Sequence, residues 1–132
     1  MIFVDTSFWL ALRLPRNAHH EAGQALLEQV AEQSLVTSNH VRGETWTLLR
    51  RHVGHPSAVH FLDHVERSPR VRIAFVSEEL ETRALRWLRQ RAERSYSFVD
   101  ATSFALMRAL RIRAALTFDA DFEAAGFEVL RV

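Results

Sequence analysis

The sequence predicts an α/β fold of three layers, with helices on both faces of a mainly parallel sheet of four to five strands. Short apolar runs alternate with longer segments in which apolar residues recur every three or four positions, as strands and amphipathic helices do. Strands that alternate with helices favour right-handed crossovers and parallel pairing. The 132 residues include only 4 Gly and 3 Pro, which indicates short connections, and their number suits one domain over residues 1–132.

The first half of the chain begins with a predicted buried strand. Met1–Val4 is apolar, too short for a helix and rich in strand-forming residues. Residues 18–33 repeat apolar residues at four-residue spacing, Asn39 is a good N-cap, and Pro56 stands where a proline opens a helix. The predicted elements are a strand at 1–4, helices at 8–13 and 18–33, a strand at 34–37, and helices at 39–52 and 56–67.

The second half continues the alternation. Ser77 is predicted to cap a long helix, because Glu78 and Glu79 follow where the helix dipole favours acidic residues. Ser97 is predicted to cap a helix over 98–110 that is apolar nearly all round and therefore central. The remaining predicted elements are strands at 71–76, 114–118 and 128–132, with a short helix that includes Phe122.

The composition excludes several classes of chemistry. All 17 basic residues of the Lys+Arg count are arginines, and the chain has no cysteine. Disulfides, thiol nucleophiles, Cys-ligated metals, Schiff-base lysines and a P-loop lysine are therefore excluded. The chain starts directly with a strand-like run, and its apolar stretches are too short to cross a bilayer, so no membrane association and a cytoplasmic location are expected.

Four acidic residues occupy unusual positions in this scheme. Asp5 and Asp119 end predicted parallel strands, the edge at which such sheets bind ligands. Asp100 lies in the first turn of the apolar helix, and Glu44 falls on an inward-facing stripe. Each has a structural alternative, since the aspartates could cap helices and the glutamate could pair with an arginine. Together, four carboxylates in one crevice indicate a cation, and oxygen ligands without cysteine favour Mg²⁺ or Mn²⁺.

Two other folds that collect aspartates at strand ends fit this sequence less well. Receiver domains and haloacid-dehalogenase-like phosphatases normally need a lysine to hold the phosphoryl group, and this chain has none. Such phosphatases also need Asp-x-Asp after the first strand, where this chain has Asp5-Thr6-Ser7.

Four segments resemble, in order and separation along the whole chain, the PIN-domain ribonucleases of the VapC type. These are the toxins of type II toxin–antitoxin pairs. The segments are Ile2–Ser7, Glu44, Ser97–Ala101 and Leu116–Phe122. The resemblance implies a single PIN domain over residues 1–132, with an acidic quartet that binds divalent metal: Asp5, Glu44, Asp100 and Asp119.

The resemblance also implies a role for each residue of the site. Asp5 and Asp100 are expected to bind metal directly, and Glu44 and Asp119 through water or as groups that orient the nucleophile. Asp121 matches an additional acidic ligand of many members. Three hydroxyl residues match positions that support the carboxylates: Thr6, Ser7 and Thr117.

The activity implied by the resemblance is Mg²⁺-dependent hydrolysis of RNA, with Mn²⁺ as a possible substitute, to 5′-phosphate and 3′-hydroxyl ends. The implied partners are an RNA substrate and a cognate antitoxin, with a homodimer or a hetero-oligomer containing the antitoxin. Two alternatives stay open: a PIN nuclease of RNA processing without a toxin role, and a catalytically idle PIN-like module that binds RNA or protein.

The sequence also raises two questions about the surface, one on apolar residues and one on arginines. An exposed Trp9 with Leu12 and Leu14 would form a patch for the antitoxin. Without the five cleft acids, the 17 arginines face 11 acidic residues, a basic exterior around an acidic cleft that suits an enzyme acting on a polyanion. The arginines of the long helix are assigned mainly to local ion pairs such as Glu79–Arg83 and Arg89–Glu93.

Overall fold

The computed structural model describes residues 1–132 and contains five strands and seven helices. The strands are β1 (Ile2–Val4), β2 (Leu35–Ser38), β3 (Val71–Ala74), β4 (Ala114–Leu116) and β5 (Glu128–Val129). The helices are α1 (Thr6–Arg13), α2 (His20–Gln29), α3 (Asn39–His52), α4 (His55–Arg67), α5 (Glu78–Arg89), α6 (Phe98–Leu110) and α7 (Ala120–Ala124).

The sheet has the strand order β3-β2-β1-β4-β5, and all four strand pairs are parallel. Phe3 of β1 is opposite Val36 of β2 on one side and Ala115 of β4 on the other. The predicted α/β class and parallel sheet are confirmed, with helices flanking the sheet. The strand order reverses direction beside β1, so the crevice between the carboxyl ends of β1 and β4 is the place where such folds bind ligands.

The main core contains 22 buried residues from both sides of the sheet. Phe3, Val36 and Leu116 are completely buried in the central strands, which explains why these strands read as continuous apolar runs. Helix α6 is buried from Asp100 to Met107, as its apolar sequence predicted. Phe104 lies at its centre and packs against other aromatic rings at centroid distances of 4.9–5.9 Å.

The predicted cap at Asn39 is wrong by one residue. Ser38 caps α3, because its hydroxyl accepts a hydrogen bond from the Val41 amide at 2.9 Å. The Asn39 side chain instead accepts a hydrogen bond from the Val76 amide at 2.8 Å. It thereby joins the segment after β3 to the start of α3, and β3 ends at Ala74 rather than at Val76.

The surface patch that an exposed Trp9 would have formed is absent, because Trp9 belongs to the core. Trp9 is only 2% exposed, packs edge-on against Phe61, and donates a hydrogen bond from Nε1 to Oγ1 of Thr37 at 3.3 Å. Leu12 and Leu14 are half-buried against the same core. None of the seven helices combines the length and apolar character that crossing a membrane requires.

Candidate metal centre

Asp5 stands at the point where β1 passes into α1. Its carboxylate caps the helix by accepting a hydrogen bond from the Ser7 amide at 3.4 Å. The same oxygen, Oδ2, accepts hydrogen bonds from the hydroxyls of Ser7 at 2.9 Å and Thr117 at 3.0 Å. Asp5 is 4% exposed, and burial raises the pKa of its carboxyl to about 6 despite these donors, with a smaller contribution from the charge of Asp119.

The end of β4 is tied to the end of β1 through hydroxyl groups. The Thr117 hydroxyl accepts a hydrogen bond from the Asp119 amide at 3.0 Å while it donates to Asp5. The Ser7 hydroxyl accepts a hydrogen bond from the Phe118 amide at 2.9 Å. Asp119 then caps α7 by accepting from the Asp121 amide at 2.9 Å. These contacts hold the carboxylates of two neighbouring strand ends in one crevice.

Asp100 enters the crevice from the first turn of α6. It forms a capping box with Ser97, whose hydroxyl accepts from the Asp100 amide at 3.0 Å and whose amide donates to the Asp100 carboxylate at 3.2 Å. Asp100 is 7% exposed. Burial raises the pKa of its carboxyl to about 7, and the negative charges of Asp119 and Asp5 add to this rise.

All five acidic residues line one cleft, and three of them lie especially close together. Ligand oxygens of Asp100, Asp119 and Asp121 all lie within 4.8 Å of one another. Asp5 and Glu44 line the same cleft. Glu44 is half-buried, and no arginine lies within 4.0 Å of it, so the ion pair considered from the sequence is absent.

Thr6 differs from the other two hydroxyl residues. Ser7 and Thr117 both donate to Asp5, whereas Oγ1 of Thr6 is buried beside the cleft without a hydrogen-bond partner. Its expected support of the carboxylates is not made through the side chain in this structure. An unpaired buried hydroxyl costs free energy unless another group in the cleft satisfies it.

The donor set fits a divalent cation. The charged side chains that line the cleft are all carboxylates. Burial, and to a smaller extent the charge of neighbouring carboxylates, raises the pKa of Asp5 and of Asp100. A bound cation would offset both the burial of these charges and the repulsion between them. Oxygen ligands without cysteine suit Mg²⁺ or Mn²⁺ better than softer metals.

Arg94 is a component of the site that the sequence analysis missed. Its Nε and Nη2 donate to Oδ1 of Asp121 at 2.9 and 2.7 Å. Helix α5 ends at Arg89, so Arg94 lies in the connection between α5 and α6. The predicted Glu79–Arg83 pair is present at 2.7 Å, and Arg89–Glu93 is not formed. The sequence feature that could have identified Arg94 is its position just before Ser97, which caps the helix that carries Asp100.

The fold and the acidic crevice define a known class of protein. The PIN domain family matches residues 2–128, and the chain belongs to this family. Among its relatives, the chain is similar to the 23S rRNA-specific endonuclease VapC20 of Mycobacterium tuberculosis, with 50% identity over 131 residues that cover 99% of this chain and 98% of the relative.

The comparison with solved structures agrees. The crystal structure of M. tuberculosis VapC20, described as a sarcin-ricin loop cleaving toxin, superposes with a TM-score of 0.93 at 48% identity and covers both chains completely. FitAcB from Neisseria gonorrhoeae superposes with a TM-score of 0.72 at 17% identity, covering 99% of this chain and 97% of the other. The second likeness concerns the fold alone, and the first agrees with the VapC resemblance along the whole chain.

Proposed function

We propose that the protein is a Mg²⁺-dependent endoribonuclease and the toxin of a toxin–antitoxin pair, acting as one PIN domain over residues 1–132. The observation that carries this proposal is the convergence of Asp100, Asp119 and Asp121 within 4.8 Å in a cleft that Asp5 and Glu44 also line. The full-length similarity to a 23S rRNA-specific endonuclease supports it. A module that only bound RNA would have no use for five acidic residues in one cleft, since they repel phosphate.

In this proposal Asp5 and Asp100 hold the cation directly, as the resemblance to the VapC-type ribonucleases implies, and they are the two most buried carboxylates of the cleft. Asp119, Asp121 and Glu44 complete the set, through water or by orienting the nucleophile. A divalent cation bound there supplies the charge that neutralises the phosphoryl oxygens and acidifies a water molecule. Mn²⁺ fits the same oxygen donors.

The neighbouring hydroxyls fix the orientation of Asp5. Ser7 and Thr117 direct three hydrogen bonds onto Oδ2, and Oδ1 takes part in none of them. These donors also favour the ionised carboxylate, which is the form that binds a cation. Ser7 and Thr117 therefore act as support for the metal ligands, while Thr6 contributes an unpaired hydroxyl beside them.

The substrate proposed from the relative is the sarcin-ricin loop of 23S rRNA, since VapC20 is described as an endonuclease that cleaves it. A cognate antitoxin is the proposed protein partner, in a homodimer or a hetero-oligomer with the toxin. Because ribosomal RNA is the substrate, the cytoplasm is the proposed place of action. The excess of arginine outside the cleft provides the attraction for a polyanion.

Cleavage of purified large-subunit ribosomal RNA tests the enzymatic proposal. We expect cleavage with Mg²⁺ or Mn²⁺, products with 5′-phosphates, and no cleavage with chelator or by the Asp5→Asn variant. Asp63→Asn is the matched control, since Asp63 lies on α4 outside the cleft. Cleavage that persists in chelator, or an active Asp5→Asn protein, would contradict the assignment of the site.

Induction in a bacterial host separates the toxin from the alternative of a processing nuclease. We expect growth arrest when the protein is produced alone, and recovery when the adjoining antitoxin frame is expressed with it. Metal-dependent RNA cleavage without arrest would instead support a PIN nuclease of RNA processing.

A further inference from the structure

Two arginines stack on aromatic rings on the surface formed by the end of α5, the end of α6 and the segment before β5. The guanidinium carbon of Arg91 lies 5.2 Å from the centre of the Trp87 ring, and that of Arg108 lies 5.8 Å from the same ring. Arg108 is also 5.0 Å from the centre of the Phe127 ring. We call these four residues the Trp87 cluster. Stacking orders a guanidinium through its flat face.

The hydrogen-bonding edges of both guanidinium groups are largely free. Neither Arg91 nor Arg108 has a carboxylate within 4.0 Å, in contrast to Arg83, Arg94 and Arg131, which all form ion pairs. Arg108 has five side-chain N–H donors, and one of them donates a hydrogen bond to the Ala125 carbonyl at 3.3 Å. Partial burial, and then the charge of Arg91, lower the pKa of Arg108, so the two cations repel each other without a compensating anion.

The Trp87 cluster is connected to the metal cleft by short steps. Asp100 lies in the first turn of α6 and Arg108 near its end, about 12 Å apart along the helix axis. A second connection runs over the surface: the Tyr96 ring packs edge-on against Trp87 at 4.7 Å, and the Arg94 guanidinium lies 5.9 Å from the Tyr96 ring. Arg94 in turn bonds to Asp121 in the cleft.

We infer that the Trp87 cluster binds the backbone phosphates of the RNA strand on one side of the cut site. Preordered guanidinium groups with free N–H edges and no acidic partner are suited to phosphate oxygens. A separation of about 12 Å is spanned by at most about three to four nucleotides when the strand is stacked at a rise of 3.4 Å each, and by fewer when it is extended. The inference rests on the proposed function, and it adds a subsite for the substrate outside the acidic cleft.

Binding and kinetic measurements on arginine variants test this subsite. The probe is a labelled hairpin with the sarcin-ricin loop sequence, bound in chelator to prevent cleavage. For the double variant Arg91→Gln/Arg108→Gln we expect Kd to rise about tenfold or more, and the slope of log Kd against log salt to fall by about 1.4. With Mg²⁺, KM should rise by a similar factor while kcat stays within about twofold.

Arg72→Gln is the matched control, since it removes the same charge from an exposed position on β3, at the opposite edge of the sheet from β5. A second test shortens the RNA to a single nucleotide beyond the cut, on each side in turn. One of the two truncations should weaken binding to the unchanged protein and have little further effect on the double variant. The truncation and the double substitution would then remove the same contacts.

The outcomes separate the subsite from the proposed function. If the unchanged protein cleaves RNA but the double variant matches Arg72→Gln in Kd, salt slope and KM, the subsite is refuted and the nuclease assignment stands. A lower thermal midpoint of the double variant with unchanged Kd gives the cluster a purely structural role and also refutes it. If the unchanged protein neither binds nor cleaves any RNA, both inferences fail together.

Discussion

Asp5→Asn should make the metal-free protein more stable at neutral pH. Asp5 is buried, and the pKa of its carboxyl rises from 3.8 to about 6 mainly because burial disfavours the charged form. The three hydrogen bonds from Ser7 and Thr117 all end on Oδ2. An asparagine whose carbonyl oxygen occupies that position keeps all three, and its amide nitrogen replaces Oδ1 at no loss of these contacts.

The size of the effect follows from the pKa shift. With a raised pKa, the folded protein binds this proton more tightly than the unfolded chain, so stability decreases as pH rises from about 4 to about 6. A shift of roughly 2 units at about 1.4 kcal/mol per unit amounts to up to about 3 kcal/mol above pH 6. Neutral asparagine removes this penalty, which raises the thermal midpoint by up to roughly 10 °C for a chain of this size.

Thermal unfolding in chelator at pH 4.5 and pH 8 measures this difference. We expect the Asp5→Asn protein to exceed the unchanged protein clearly at pH 8 and only slightly at pH 4.5, where Asp5 is protonated when folded. Asp63→Asn, on α4 outside the cleft, is the control. Added Mg²⁺ should then raise the midpoint of the unchanged protein and much less that of the variant. A variant that is less stable at pH 8, or equally shifted at both pH values, would refute the reasoning.

Four further predictions follow from the site and the backbone. Thr117→Val removes a donor to Asp5, and cleavage should fall about 10- to 100-fold with little change in fold. Arg94→Gln frees Asp121 from a competing cation, and calorimetric titration should show Mg²⁺ binding up to about fivefold tighter. Mg²⁺ affinity should fall steeply from pH 8 to pH 5.5, because carboxyls with pKa values of about 6 and 7 must ionise to bind it. Arg111→Gly should add about 1 kcal/mol to the free energy of unfolding, since Arg111 has a φ of 58°.

Each of these predictions has an outcome that contradicts it. Full activity of Thr117→Val would show that its hydroxyl does not support Asp5. Weaker Mg²⁺ binding by Arg94→Gln would show that the ion pair orders Asp121 for the metal rather than competing with it. Mg²⁺ affinity independent of pH would place the cation away from Asp5 and Asp100. A less stable Arg111→Gly protein would mean that the side chain contributes more than its backbone conformation costs.

The arrangement of elements was predictable because each strand is a short apolar run between amphipathic helices. The ends of the strands were less predictable, because they depend on side chains from elsewhere in the chain. The predicted strand 114–118 stops at Leu116, and the Thr117 hydroxyl then turns to Asp5, which is 112 residues away in sequence. Residues 71–76 stop at Ala74, and the Val76 amide bonds to Asn39 instead of continuing the ladder.

The convergence of the acidic residues was predictable from strand ends, but their neighbours were not. Asp5 and Asp119 follow adjacent parallel strands, so the topology brings them together. Arg94 reaches Asp121 across 27 residues, and only the end of α5 at Arg89 frees it to do so. Trp9 is likewise buried against Phe61 and bonded to Thr37, and no local pattern of sequence contains either contact.

Capping and metal binding are compatible roles for the same aspartates in this structure. Asp5 and Asp119 cap α1 and α7, and Asp100 completes the capping box of α6, so the structural role considered for each one is real. A cap, however, needs only a side-chain oxygen, which asparagine or serine supplies about as well. Aspartate adds a negative charge that burial and neighbouring carboxylates make unfavourable at neutral pH. Capping explains where these side chains point, and the cation proposed for the cleft would account for their charge.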